Sequence, residues 1–187
     1  MLLLDEAALL LGMALTGQWN WGYLPLHLCN INVFVCLYNT ITDRNWCKEE
    51  LYALCIPGAM LALLCPSWLD VPSWWTLINL HSVSIHALLV LLSSPAGGGR
   101  LPSQSPAGAA GAWRSCSALP AHLLLNQSLN TNFYFLNDPY GNIIHQAPSR
   151  PCWGEKYYIL GFLPATALAL FLMYLPWAAD DKKKKRA

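Results

Sequence analysis

The runs at 74–93, WWTLINLHSVSIHALLVLLS, and at 157–177, YYILGFLPATALALFLMYLPW, contain no Asp, Glu, Lys or Arg. A helix that crosses about 30 Å of hydrocarbon needs about 20 largely apolar residues, so these two runs already point to a membrane-spanning helical chain. Four further segments fit with less margin. They are 2–17 (LLLDEAALLLGMALTG), interrupted by Asp5 and Glu6, 24–41 (LPLHLCNINVFVCLYNTI), 50–66 (ELYALCIPGAMLALLCP) and 107–129 (AGAAGAWRSCSALPAHLLLNQSL). The last is the weakest, because it holds Arg114, Pro120 and His122. The expected fold is all-α, a polytopic transmembrane bundle of about six helices. One domain spans 1–179, with a basic cytosolic tail at 180–187.

Composition supports this. The chain is 55% hydrophobic and 11% charged, against roughly 25% charged in a soluble globular protein. The net charge of +1 conceals a run, Lys182 to Lys185 and Arg186. Such a run could meet nucleic acid, but following an apolar segment it reads as a cytosolic anchor, so no nucleic-acid partner is expected. The acidic start of the first segment argues against a secretory signal, which begins with positive charge; it is kept as a helix that has lost its start.

With the tail in the cytosol, six spans put 42–49 and 94–106 on that same side, carrying Arg44, Lys48 and Arg100. The opposite loops GQWNWG and SWLDVPS carry neither Lys nor Arg, and on that side only the long 130–156 connection adds Arg150 and Lys156. Both termini are then cytosolic by the positive-inside rule, and Trp19, Trp21, Trp68, Trp74, Trp75, Trp153 and Trp177 fall near span ends as an aromatic belt. Residues 94–112 are low in complexity. Asn126-Gln127-Ser128 matches a glycosylation sequon, a pattern frequent by chance.

Seven cysteines at irregular spacing include no CxxC pair and no zinc pattern, so no disulfide framework, metal or organic cofactor is expected. Cys152, beside Trp153, is the one placed for an extracytosolic contact. Pro57-Gly58 is positioned to break the third span.

Polar side chains at membrane depth are costly and by default mark a site. Cys29, Asn32 and Cys36 share one helix face, at i, i+3 and i+7. Asn79, Ser82 and His86 repeat that spacing on the fourth span. Two readings are open. The stripes can glue helices together, at about 0.6 to 2 kcal/mol per hydrogen bond. Alternatively, Cys29 is a nucleophile and His86 its base, since a thiol needs a neighbouring imidazole to attack an ester. His27, two residues from Cys29, does not face it on a regular helix. It is expected at the interface behind Pro25, meeting a lipid headgroup or Glu6. His81, on a different face from His86, is structural or supporting.

The tryptophan-bearing turn into LPLHLC, then ELYALCIPGAMLALLCPSW, INLHSVSIHALLVL, NFYFL and the terminal YLPW, resembles the YwaF-like family of bacterial integral membrane proteins. That family is similar to the eukaryotic transmembrane acyltransferase that remodels ether phospholipids. The resemblance covers most of 5–177. It implies a six-or-seven-helix bundle in a bacterial cell membrane, with Cys29 accepting the acyl group and His86 at the place of the essential histidine. Relatives carry an additional N-terminal helix and a longer, less Ala/Gly-rich span in place of 107–129.

Three functions follow. In the first, membrane lipids are the partners of a Cys29/His86 acyltransferase or acyl hydrolase, with His27, Asn32, Asn79 and Ser82 binding substrate, orienting the base or stabilising the oxyanion. In the second, the stripes line a small-solute transport path. In the third, they serve packing in a structural or assembly subunit. The oligomeric state is not legible.

Overall fold

A computed structural model describes residues 1–66, 75–94, 108–137 and 167–175. The described elements are α1 (Leu2–Leu15), a 3-10 turn (Trp21–Tyr23), α2 (Leu28–Thr42), α3 (Asn45–Glu50), a π turn (Leu51–Cys55), α4 (Ile56–Leu64), α5 (Leu77–Ser93), α6 (Gly108–Leu129) and a 3-10 turn (Phe133–Phe135). Residues 167–175 are also helical, and no strand occurs among the described residues. The all-α class is therefore correct. The expected span at 157–177 is described only at 167–175, and Cys152 and the basic tail lie outside the described residues.

Local chemistry sets the boundaries. Pro25 holds Leu24 extended (φ −57°, ψ 142°), and His27 is extended as well (φ −70°, ψ 155°), so α2 begins at Leu28. It ends where Asp43 turns left-handed (φ 50°, ψ 37°) and donates its N–H to the Asn39 carbonyl, a conformation that short polar side chains tolerate. Only residues 43–44 separate α2 from α3. The expected loop at 42–49 is thus mostly helix, and its Cys47 and Glu49 are buried. The helical pitch explains this, because Cys47, Leu51 and Cys55 are spaced by fours and share one inward face.

The third span is not broken at Pro57-Gly58. Pro57 has no N–H to give to the carbonyl four residues back, and its ring crowds that carbonyl. The chain responds by widening the preceding turn, where the Ile56 N–H reaches the Leu51 carbonyl, five residues away. α6 runs helically from Gly108 to Leu129, 22 residues, despite Pro120.

Packing is inverted relative to a water-soluble protein. On α2 the inward face carries Asn32 and Cys36 beside Val33, whereas Phe34, Leu37 and Ile41 point outward and are exposed. α5 behaves likewise, with Asn79, His81 and His86 buried and Leu80, Val83 and Leu91 exposed. Polar groups inside and hydrocarbon outside is the arrangement that a lipid solvent favours. Among the described residues, the stretch Trp21–Thr42 is long and apolar enough to cross a membrane, and Leu77–Ser93 is a shorter apolar helix. At 1.5 Å per residue the 17 residues of α5 extend about 26 Å.

The apolar core joins Leu2 of α1, Val33 and Cys36 of α2, Leu51 and Cys55 of the π turn, Ala59 of α4, and Ile85 and Leu89 of α5. A polar staple adds to it. Asp5 accepts from the Ser84 hydroxyl at 2.7 Å and lies 3.0 Å from His81 Nδ1. Glu6 accepts from the Asn30 amide at 2.6 Å and lies 3.7 Å from His81 Nε2. The two acids of α1, awkward in a membrane run, are therefore what tie α1 to α2 and α5. Glu6 is the partner of Asn30 and His81, not of His27.

Candidate active site

Where α2 crosses α5, the Cys29 Sγ lies 3.0 Å from His86 Nε2. The other ring nitrogen, Nδ1, lies 2.5 Å from the Ser82 carbonyl, one turn earlier on α5. A carbonyl can only accept, so Nδ1 carries the proton and Nε2 presents a lone pair. The thiol therefore donates to Nε2. This is the tautomer a general base requires, and it is set by the i−4 register of α5. The anchors of that register are Thr76, whose hydroxyl accepts from the Asn79 N–H at 3.3 Å, and the Ile85 and Leu89 contacts with the core.

Cys29 is the second residue of α2, and no side chain caps that helix start. The first-turn N–H groups of a helix have no intrahelical acceptor and mark its positive end. Leu28, Cys29 and Asn30 belong to that first turn. Cys29 as a residue is half-buried and packs against the core, and His86 is 8% exposed.

The expected supporting residues divide. Ser82 acts on the pair through its backbone carbonyl. The Asn32 amide nitrogen donates to the Leu28 carbonyl at 2.9 Å, while its Oδ1 is buried without a hydrogen-bond partner among the described residues. Asn79 is buried two turns from His86, toward the start of α5. His27 terminates the turn before α2, and its ring packs on Phe133 at 5.3 Å and Phe135 at 5.5 Å. Its ring, two residues before Cys29, is thus covered by the turn that follows α6.

Two residues at this site were not singled out from the sequence. His122 of α6 donates Nδ1–H to the Ala118 carbonyl at 2.9 Å, and its ring lies 4.4 Å from that of Tyr134. The Tyr134 hydroxyl is pushed up to about 12 by burial first, then by Glu50 and Cys29. Both residues are positioned by Asn126, 1% exposed. Its amide donates to the Phe133 carbonyl at 2.9 Å, and its Oδ1 accepts from the Phe133 N–H at 2.8 Å and from the Thr131 hydroxyl at 3.0 Å. This clamp holds Asn130, Tyr134 and Phe135 at positive φ, conformations that cost about 1–3 kcal/mol each and persist only when overdetermined. The sequon asparagine is thus a buried clamp whose amide both donates and accepts. The one sequence signal for His122 was its i, i+4 relation to Asn126, which puts both on one face of α6.

Among the described residues, no group of His, Cys, Asp and Glu side chains is arranged to hold a metal ion. Residues 1–174 match the model of the TMEM164 family. No curated protein and no solved structure matches the chain.

Proposed function

From the premise that the chain belongs to the TMEM164 family, a transmembrane family, we propose that it is a cysteine-dependent phospholipid acyltransferase working within one leaflet. The observation that carries this reading is the 3.0 Å contact from Cys29 Sγ to His86 Nε2, with Nδ1 anchored on a carbonyl.

The location favours a lipid ester. Trp19 and Trp21, exposed and packed edge to face at 4.8 Å, precede α2 as aromatic residues do at headgroup level. Cys29 follows one residue inside the helix start, near the depth of the glycerol esters. In the first half-reaction the Cys29 proton passes to His86 Nε2 as sulfur attacks the ester carbonyl. The new C–S bond forms, the ester C–O bond breaks, and the departing glycerol oxygen takes the proton from His86. In the second, a lysophospholipid hydroxyl attacks the thioester, the C–S bond breaks, and its proton returns through His86 to sulfur. The first-turn N–H groups of α2 are the donors for the tetrahedral oxyanion. Such base catalysis contributes about 10²–10⁴-fold. The ether-lipid relatives named by the resemblance make an ether lysophospholipid a suitable acceptor.

The test is acyl exchange between a labelled diacyl phospholipid and a lysophospholipid in liposomes. Cys29→Ala should abolish exchange and His86→Gln should lower it at least about 100-fold, with both variants still folded. Exchange that persists in folded Cys29→Ala removes the reading.

A further inference from the structure

His122 is 7% exposed, and its Nδ1–H is held by the Ala118 carbonyl. Nε2 is therefore a lone pair, and it is buried without a hydrogen-bond partner among the described residues. A buried acceptor in that state costs a factor of about ten to a hundred relative to one that is paired. The adjoining groups show where this lone pair sits. The His122 ring packs on Tyr134 at 4.4 Å. The residues on either side of Tyr134, Phe133 and Phe135, pack at 5.3 and 5.5 Å on His27, two residues before Cys29. The unpaired acceptor thus lies against the same Phe133–Phe135 turn that covers His27 at the start of α2, and it comes from α6 and not from α5.

We infer that His122 Nε2 is the recognition point for the acyl acceptor, binding the free hydroxyl of a lysophospholipid beside the Cys29–His86 pair. This rests on the acyl-transfer reading and adds to it a means of choosing the acceptor. A diacyl lipid presents ester oxygens at the glycerol carbons, which only accept and leave Nε2 unpaired. A lysolipid presents an O–H at one of them, which pairs it. Sites built to hydrogen-bond a substrate hydroxyl reject analogues that lack it. The Asn126 clamp, four residues along α6, fixes the Phe133–Phe135 turn against which His122 and His27 pack.

The experiment compares dissociation constants of a 1-acyl lysophospholipid and its 2-deoxy analogue, measured on the purified full chain in nanodiscs. Wild type should favour the hydroxylated lipid about tenfold or more. His122→Asn keeps a donor for the Ala118 carbonyl but has no atom at the Nε2 position, and should reduce the preference to less than about threefold. His122→Gln restores an acceptor at that position and should recover most of it. Equal affinities in wild type, a preference that survives in His122→Asn, or no recovery in His122→Gln each overturn the proposal. Acyl-thioester formation on wild-type Cys29 is followed in parallel. Its absence beside an intact hydroxyl preference sinks the acyl-transfer reading and not the recognition site.

Discussion

Replacing Asn126 by Ala removes three hydrogen bonds, all in a buried setting, at 2.8, 2.9 and 3.0 Å. Two of the abandoned partners are the N–H and carbonyl of Phe133, a residue with no exposed surface, and each costs about 1–3 kcal/mol when left unpaired. The third, the Thr131 hydroxyl, can rotate and costs less. Adding the two backbone groups gives a loss of about 2–6 kcal/mol, and a value near 4 is expected because the turn can relax in part. Released from the clamp, the positive-φ residues Asn130, Tyr134 and Phe135 move toward ordinary backbone angles, and Tyr134 leaves His122. The assay is denaturant unfolding of the detergent-solubilised protein, followed by tryptophan fluorescence. Ser128→Ala serves as control, because it destroys the sequon and leaves the clamp intact. A loss below about 1 kcal/mol in Asn126→Ala, or an equal loss in Ser128→Ala, refutes the clamp.

Three other outcomes follow. His81→Leu strands Asp5 and Glu6 between α1 and α5 and should destabilise by about 3–5 kcal/mol, read by the same unfolding assay, with His81→Gln retaining more. Tyr134 stays protonated to about pH 12 in the folded state, against about 10 when unfolded. Its contribution is therefore complete below pH 10 and lost as pH rises from 10 to 12. Stability of Tyr134→Phe should fall less steeply across that window, and superimposable curves count against the buried position. His86→Gln should retain wild-type stability within about 1 kcal/mol while exchange falls, because a glutamine amide can still meet the Cys29 side. Loss of both together points to packing.

The alternation of polar and apolar residues at helical spacing carried most of what could be read beforehand. Cys29, Asn32 and Cys36 do share the inward face of α2, and Asn79 and His86 that of α5. Periodicity within one helix says nothing of which faces meet, and the Cys29–His86 contact spans 57 residues of sequence. The 42–49 loop was misread because local charge, Asp43, Arg44 and Lys48, dominates a hydropathy reading. The structure instead pairs Lys48 with Asp43 at 3.0 Å and turns the remaining residues inward as helix. Pro57 signalled an irregularity, but its consequence appears one turn earlier, at Leu51–Cys55. His122 and Tyr134 were opaque because their roles depend on a turn with left-handed residues, for which Asn130 and Tyr134 carry no glycine signature. The cover on the His27 ring was opaque for the same reason, because Phe133 and Phe135 come from that turn.

The most direct measurement is the mass of the Cys29 peptide after the purified protein is incubated with a diacyl phospholipid and quenched in acid. The account expects one acyl chain attached through a thioester, released by neutral hydroxylamine, discharged by added lysophospholipid, and formed far more slowly in His86→Gln. Acyl exchange that proceeds while Cys29 remains unmodified at every time point contradicts it.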